Sequence, residues 1–359
     1  MSSKIKVKIK DRYIGGGEKV LIQSMTNTKT SDVEKTVRQI LSLEECGCEI
    51  VRATVNDVDA AKAISKIKES IHIPLVADIH FDYRLALLAI ENGVDKVRIN
   101  PGNIGDVSNV KKVADACRQK GIPIRIGVNG GSLDKEILKK YGSVTAEALV
   151  ESAKKEIKVL ESCDFNDIVL SLKVSDSNKM IDAYTLASQI FPYPLHIGVT
   201  EAGGGIAGIV KNAFGIGYLL RNGIGDTLRV SLTENVEKEI EAAKEILSAT
   251  GVRKEWVEII SCPTCGRTEV DIIKLADEVK RKTSHIKKHI KVGVMGCVVN
   301  GPGEARECDI GIAGGKGCAV LFKKNENGET VNLGKIEEDK IIDTLLYEIN
   351  KICVQKEKI

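Results

Sequence analysis

The chain has 359 residues, which at roughly 100–200 residues per domain makes two domains the simplest expectation. Hydrophobic residues make up 43% and charged residues 29%, enough apolar material for a sizeable core, and this excludes wholesale disorder. Lys and Arg outnumber Asp and Glu only 53 to 50 and aromatics are 4%, so neither a polycationic groove nor a base-stacking surface for nucleic acid is expected.

The N-terminal MSSKIKVKIK alternates charged and aliphatic residues and lacks the apolar core of a signal peptide. No apolar run approaches the ~20 residues of a membrane span, so a cytoplasmic protein with no membrane partner is expected. From residue 18 to 250 an aliphatic, β-branched run is followed repeatedly by an amphipathic helical pattern. Strands are expected at 20–24, 49–53, 74–78, 96–100, 123–128, 167–173, 195–200 and 227–232. Helices between them include 32–45, 83–92, 146–161 and 236–248, and Ser31 with Glu34 reads as a capping box for the first. Continuous apolar strands belong to parallel sheets buried on both faces. Eight βα units in succession predict a closed (β/α)8 TIM barrel over residues 1–250, with a doubly wound open sheet as the alternative. After Gly251 the texture changes to glycine clusters, cysteines and a mixed pattern ending in a helix near 337–351, which predicts a second, smaller α/β domain over 251–359.

A barrel does its chemistry at the C-terminal ends of its strands. In chain order those ends carry Arg52; Asp78 and His80; Arg98 and Asn100; Arg125 and Asn129; Lys173; His196 and Glu201; Arg229 and Ser231. Arg52, Arg98, Arg125 and Lys173 are each set in aliphatic sequence (IVRAT, KVRIN, PIRIG, LSLKV), where an unpaired charge is costly. Ion pairs with nearby Asp and Glu would explain any one of them. Four at equivalent positions are better explained by a shared polyanion, a phosphorylated or diphosphorylated small substrate, whose oxygens suit the arginine fork. The segment EAGGGIAG satisfies G-x-G-x-x-G at Gly203, Gly205 and Gly208, but it follows the seventh strand. It therefore reads as a phosphate-binding helix N-terminus or a tight turn, not a dinucleotide site. His80 and His196, at strand ends, are better candidates than His72, His285 and His289.

In a reducing compartment, clustered cysteines point to a metal or redox site. Cys262-Pro-Thr-Cys265 offers two thiolates from one turn, and Cys297 in VMGCVVNGPGEA a third. A zinc ribbon would need a second Cys-x-x-Cys pair, and a redox dithiol would leave Cys297 idle, so an iron–sulfur cluster fits better. Spacing leaves the fourth ligand open among Cys308, Cys318 and Glu304. Cys46, Cys48, Cys117, Cys163 and Cys353 read as buried small hydrophobes.

Together SCPTCGRT, MGCVVNGPGEA, RINPGN, GVTEAGGG and ADIHFD resemble the 4-hydroxy-3-methylbut-2-en-1-yl diphosphate synthase family in its bacterial two-domain form, along nearly the whole chain. The resemblance implies a TIM barrel followed by a four-iron four-sulfur (4Fe-4S) domain. It implies an oxidoreductase of the methylerythritol phosphate route to isoprenoids, with reduced flavodoxin or ferredoxin as electron donor. The reaction would be the two-electron reductive ring opening of 2-C-methyl-D-erythritol 2,4-cyclodiphosphate to 4-hydroxy-3-methylbut-2-enyl diphosphate, with loss of a hydroxyl as water. It further implies Cys262, Cys265, Cys297 and Glu304 as cluster ligands, Arg52, Arg98, Arg125, Asn129, Lys173 and Ser231 as diphosphate contacts, and Glu201 as the catalytic acid. Asp78, His80, Asn100, His196 and Thr200 fall on other pocket positions. The competing reading is a phosphate-substrate lyase or aldolase barrel with a zinc-binding accessory domain. A homodimer with composite active sites is also expected. The last barrel helix leaves the chain at the face opposite the mouth, and the linker at 249–254 spans at most ~21 Å. A two-fold head-to-tail dimer, which agrees with the family, would let one chain's cluster serve the other's Glu201.

Overall fold

The computed structural model describes residues 3–298 and 305–355. The charged–aliphatic alternation at the N-terminus builds a hairpin of β1 (Lys6–Ile9) and β2 (Arg12–Gly15), in which Val7, Ile9 and Ile14 point one way and are buried. They pack on Leu21, Ile50, Val76 and Val169, the first inward-facing residues of four barrel strands, and close the barrel floor. This hairpin has no counterpart among the elements expected from sequence.

The barrel strands are β3 (Leu21–Met25), β4 (Ile50–Thr54), β5 (Leu75–Asp78), β6 (Lys96–Ile99), β7 (Ile124–Asn129), β8 (Ile168–Lys173), β9 (His196–Ile197) and β10 (Thr227–Leu228). The helices are α1 (Val33–Cys46), α2 (Val58–Ser70), α3 (Tyr83–Glu91), α4 (Val107–Lys120), α5 (Lys135–Tyr141), α6 (Ala146–Ser162), α7 (Ser177–Ile190), α8 (Gly205–Arg221) and α9 (Val236–Ala249). The strands run parallel in the order β8-β7-β6-β5-β4-β3-β10-β9, and a parallel bridge between Leu170 and Leu195 joins the two ends. The sheet is therefore the expected closed barrel and not the doubly wound alternative. Tyr184 braces that seam: its hydroxyl donates to the His196 carbonyl at 2.6 Å and accepts from the Leu172 N–H at 3.0 Å.

Two local expectations need correction. The cap of α1 is Asp32, not Ser31: the Asp32 carboxylate accepts from the Lys35 N–H at 3.2 Å. A carboxylate is the stronger acceptor and complements the positive helix end. The last two strands, β9 and β10, are shorter than expected, and past the end of β10 Ser231 pairs with a side chain in place of a strand. Its N–H donates to Asn212 Oδ1 and its carbonyl accepts from Asn212 Nδ2.

Contacts divide the chain into two compact units, Met1–Arg253 and Lys254–Ile359. The second holds a five-stranded sheet of β11 (Val257–Ser261), β12 (Ile290–Met295), β13 (Ile310–Gly315), β14 (Cys318–Lys324) and β15 (Thr330–Glu337), in that order. The first three strands are parallel and the last two antiparallel. Helices α10 (Ile272–Thr283) and α11 (Ile341–Gln355) bury Ile272, Val279, Ile341, Leu345 and Ile349 against Ile290, Val292, Val294 and Ile312 of the sheet.

Candidate functional site

Alternation along a barrel strand sends every second side chain inward. On this barrel the inward rows carry Arg52, Asp78, Arg98 and Arg125, with Lys173 at the end of β8 and His196 on β9, all buried or nearly so. Asp78 holds two of the cations: its carboxylate lies 3.5 Å from Arg52 Nε and 3.2 Å from Arg98 Nη1. Burial works to raise the Asp78 carboxyl, but Arg52, Arg98 and Arg125 outweigh it and keep it below its ordinary value. Arg98 also donates from Nη2 to the Gly127 carbonyl at 3.1 Å. A Cβ at Gly127 would lie 2.3 Å from Arg98 Nε, so that glycine makes the room for the guanidinium.

Ion pairing thus explains Arg52 and Arg98. It also explains Arg229, whose guanidinium meets both oxygens of buried Glu239 at 3.1–3.2 Å. It does not explain Arg125 or Lys173. Arg125 is 1% exposed, Lys173 is 7% exposed, and among the described residues neither has a carboxylate within ion-pair distance. Burial and the surrounding guanidiniums push both well below their ordinary values. His196 is fully buried, its Nδ1 2.8 Å from Thr227 Oγ1, and burial with Arg125 and Lys173 keeps its ring neutral.

The remaining sequence candidates surround this interior. Asn129 ends β7 in register with Lys173. His80 is half exposed, its Nε2 3.8 Å from Asp78 Oδ2. Asn100 turns its Oδ1 to the Gly102 N–H at 2.9 Å and so shapes the loop after β6. Thr200, Glu201 and Ser231 lie past the ends of β9 and β10. Glu201 is exposed and has φ 54°, a left-handed backbone rare for a residue with a Cβ. The glycine segment behind it is a tight turn. Gly203 has φ 85°, and a Cβ on Gly208 would lie 2.5 Å from the Gly203 carbonyl. The first free amide of α8, that of Gly205, donates to the Glu234 carboxylate, so a side chain of the protein already caps that helix end.

Sequence reasoning missed Lys96, on the same face of β6 as Arg98 and 0% exposed. Its signal was present: Lys96 and Arg98 repeat with period two in DKVRIN. It also missed Glu156 of α6, whose buried carboxyl is pushed up to about 8 by desolvation, against the pull of Arg98.

In the second unit, Cys262 directly follows β11 and Cys297 lies two residues past its parallel neighbour β12. The Gly296 N–H donates to Cys262 Sγ at 3.2 Å, and the Glu269 N–H donates to the Gly296 carbonyl at 2.9 Å, which ties the two loops together. The Cys265 N–H donates to Thr268 Oγ1 at 3.1 Å, and a hydrogen bond from the Arg267 backbone holds the Cys265 thiol below its ordinary value. Three thiols are thus carried by adjoining loops at the C-terminal ends of two neighbouring strands, with backbone donors on two of the sulfurs. That donor set and surrounding suit an iron–sulfur cluster. Among the described residues no three Cys, His, Asp or Glu side chains close around a single ion. Of the candidates for a fourth ligand, Cys308 is fully buried with Met295, Ala313 and Phe322, and burial pushes its thiol up to about 11, as for a core residue. Cys318 opens β14. Glu304 lies outside the described residues. No helix among the described residues is long and apolar enough to cross a membrane.

Fold and site define a two-unit protein, a (β/α)8 barrel with a cation-rich interior followed by an α/β unit with three cysteines just past the ends of two neighbouring strands. Models of the GcpE TIM-barrel domain and of the GcpE protein C-terminal domain match residues 4–244 and 258–351, and the chain belongs to the GcpE family. The protein of Caldanaerobacter subterraneus named 4-hydroxy-3-methylbut-2-en-1-yl diphosphate synthase (flavodoxin) is 59% identical over 350 residues, 98% of this chain and 97% of its own. Its namesake in Clostridium perfringens is 58% identical over 347 residues, 97% of this chain and 98% of its own. Among solved structures, Yersinia pestis dihydropteroate synthase with a pterine–sulfa conjugate superposes at a TM-score of 0.50 and 9% identity, over 69% of this chain and all of that one, a likeness of fold alone.

Proposed function

We propose that the protein is an iron–sulfur oxidoreductase that opens 2-C-methyl-D-erythritol 2,4-cyclodiphosphate reductively to 4-hydroxy-3-methylbut-2-enyl diphosphate; the names of its relatives give that product and flavodoxin. The observation that carries this reading is the charge imbalance inside the barrel. Arg52, Arg98, Arg125, Lys173 and Arg229 stand against two carboxylates, Asp78 and Glu239. A diphosphate supplies the missing negative charge and accepts the unused N–H donors.

In this reading the barrel, residues 1–250, binds the substrate and residues 251–359 carry the cluster. Arg125 and Lys173 take phosphate oxygens directly. Arg52 and Arg98 take them with the donors that Asp78 leaves over, and Asn129 and Ser231 complete the rim. Asp78 fixes Arg52 and Arg98 in place, and neutral His196 can accept or donate a hydrogen bond without adding charge. Glu201 stands at the mouth and gives its proton to the departing hydroxyl, which leaves as water. Asn100, His80 and Thr200 surround the carbon skeleton. A 4Fe-4S cluster held by Cys262, Cys265, Cys297 and Glu304 would supply two electrons, one at a time, drawn from reduced flavodoxin. The working assembly is a homodimer in the cytoplasm. Its support is an exposed apolar stripe on α8, Ile206, Val210, Phe214 and Tyr218, of a kind that monomers seldom leave bare. Nothing favours the lyase or aldolase reading with zinc.

The test is anaerobic turnover of the cyclic diphosphate with reduced flavodoxin. The linear diphosphate is expected as product from a brown, iron- and sulfide-containing protein. A colourless zinc protein that leaves the cyclic diphosphate intact refutes the reading.

A further inference from the structure

Lys96 opens β6 at the depth where barrel floor and cation cluster meet. Its register partner on β5, Val76, belongs to the apolar plug, whereas the next inward pair, Asp78 and Arg98, belongs to the cluster. Lys96 is 0% exposed and its Nζ has no hydrogen-bond partner among the described residues. The charged groups facing it are Arg125 from β7 and Arg52 from β4, and its charge is felt by His196 of β9. Asp78 of β5, the carboxylate on the adjoining strand, is engaged by Arg52 and Arg98. Unpartnered donors and acceptors crowd the same interior: Nε and Nη1 of Arg125, Nε2 of His196, and both side-chain polar atoms of Gln23 from β3.

A buried ammonium with two guanidiniums beside it and no counter-ion is far less stable than the neutral amine. Burial first, then Arg125 and Arg52, push Lys96 well below its ordinary value. A diphosphate among the cations reverses the local field, because an opposite charge nearby favours the charged form.

We propose that Lys96 is the proton-accepting floor of the anion site, an amine in the free barrel and an ammonium once a diphosphate lies among the cations above it. The inference rests on the reading of the barrel as a diphosphate site. The proton comes from solvent and ends on Nζ, and no bond is broken. The site thereby gains a cation only when a polyanion fills it, which discriminates against neutral and singly charged ligands. The sign of the pH dependence follows from linkage. The bound state holds one proton more, so affinity rises as pH falls between the bound and free values of Lys96 and is weakest above the bound value.

The test is calorimetric titration of the full-length protein with inorganic diphosphate, in buffers of different ionisation enthalpy, which counts protons taken up on binding. Diphosphate's own titration is common to all variants and cancels in the difference. Wild type is expected to take up as much as about one proton per barrel more than Lys96→Met, the most that a single amine can accept. Equal uptake in both proteins overturns the proposal while leaving diphosphate binding intact. Failure of wild type to bind diphosphate overturns the proposal and the diphosphate reading together. A thermal melt checks that Lys96→Met is folded; if it is not, Lys96→Arg, permanently charged, replaces it with the same expected loss of uptake.

Discussion

Glu201, the proposed proton donor, joins a carboxylate to a strained backbone. A left-handed conformation costs a residue with a Cβ about 1–2 kcal/mol, and here it is imposed by the segment that follows. Ala202 is buried behind it, and the Gly203 turn is pinned by the Thr233 N–H to the Gly203 carbonyl at 3.1 Å. Strain of this kind persists where a side chain has to be aimed. Glu201→Gln keeps the shape and removes the acid. It is expected to bind inorganic diphosphate normally and to lose on the order of 10²–10⁴-fold in turnover, the usual share of a positioned acid. Glu201→Gly is expected to lose turnover as well, yet to melt at a higher temperature than wild type, because glycine adopts this backbone freely. Near-normal turnover of the Gln variant removes Glu201 from the proton step, and a lower melting temperature for the Gly variant removes the strain argument.

The barrel elements depend on long-range partners that no local pattern announces. The seam between β8 and β9 has little ladder of its own, and Tyr184 of α7 satisfies a backbone group on each side of it, so firmly buried that its hydroxyl is pushed up to about 12. Tyr184→Phe leaves the Leu172 N–H and the His196 carbonyl buried without that partner, and is expected to cost roughly 1–3 kcal/mol of stability. Chemical denaturation checks this, and an unchanged midpoint would show that the seam closes without the hydroxyl. The same dependence on distant partners explains what the sequence made legible. Continuous apolar strands and helices in alternation were enough for the barrel, and cations interrupting those strands were enough to find Arg52, Arg98, Arg125 and Lys173. Which of them would find carboxylates was not legible. Asp78 sits on one strand and serves two others, and Glu239 reaches from α9 to Arg229 and to Ser24, 215 residues away in sequence. The hairpin floor was hidden for a similar reason. Four-residue strands declare themselves only once a barrel end is there to be filled. Lys96 was hidden because it begins its strand instead of ending it, away from the end where barrel chemistry is sought.

A barrel with its mouth at the strand ends leaves the chain at the other face. Helix α9 runs back against the strands and ends at Ala249, whereas Glu201 lies past the C-terminal end of β9. The second unit begins at Lys254, and a linker of so few residues has little reach. In the proposed homodimer a second copy of the chain would offer the proposed cluster another mouth, and the exposed apolar stripe of α8, which starts just behind Glu201, would offer that copy a surface to cover. In such a dimer each active site combines Glu201 of one chain with the thiols of the other. Neither the Glu201→Gln chain nor the Cys297→Ser chain is expected to be active alone. When the two are mixed and allowed to exchange, half the dimers are mixed, and each mixed dimer holds one site with both Glu201 and all three cysteines intact. About a quarter of wild-type activity is therefore expected, measured anaerobically on chains carrying different tags. If the tags co-purify, proving exchange, and activity stays at the level of the separate variants, each barrel works with its own cluster and the composite site is refuted.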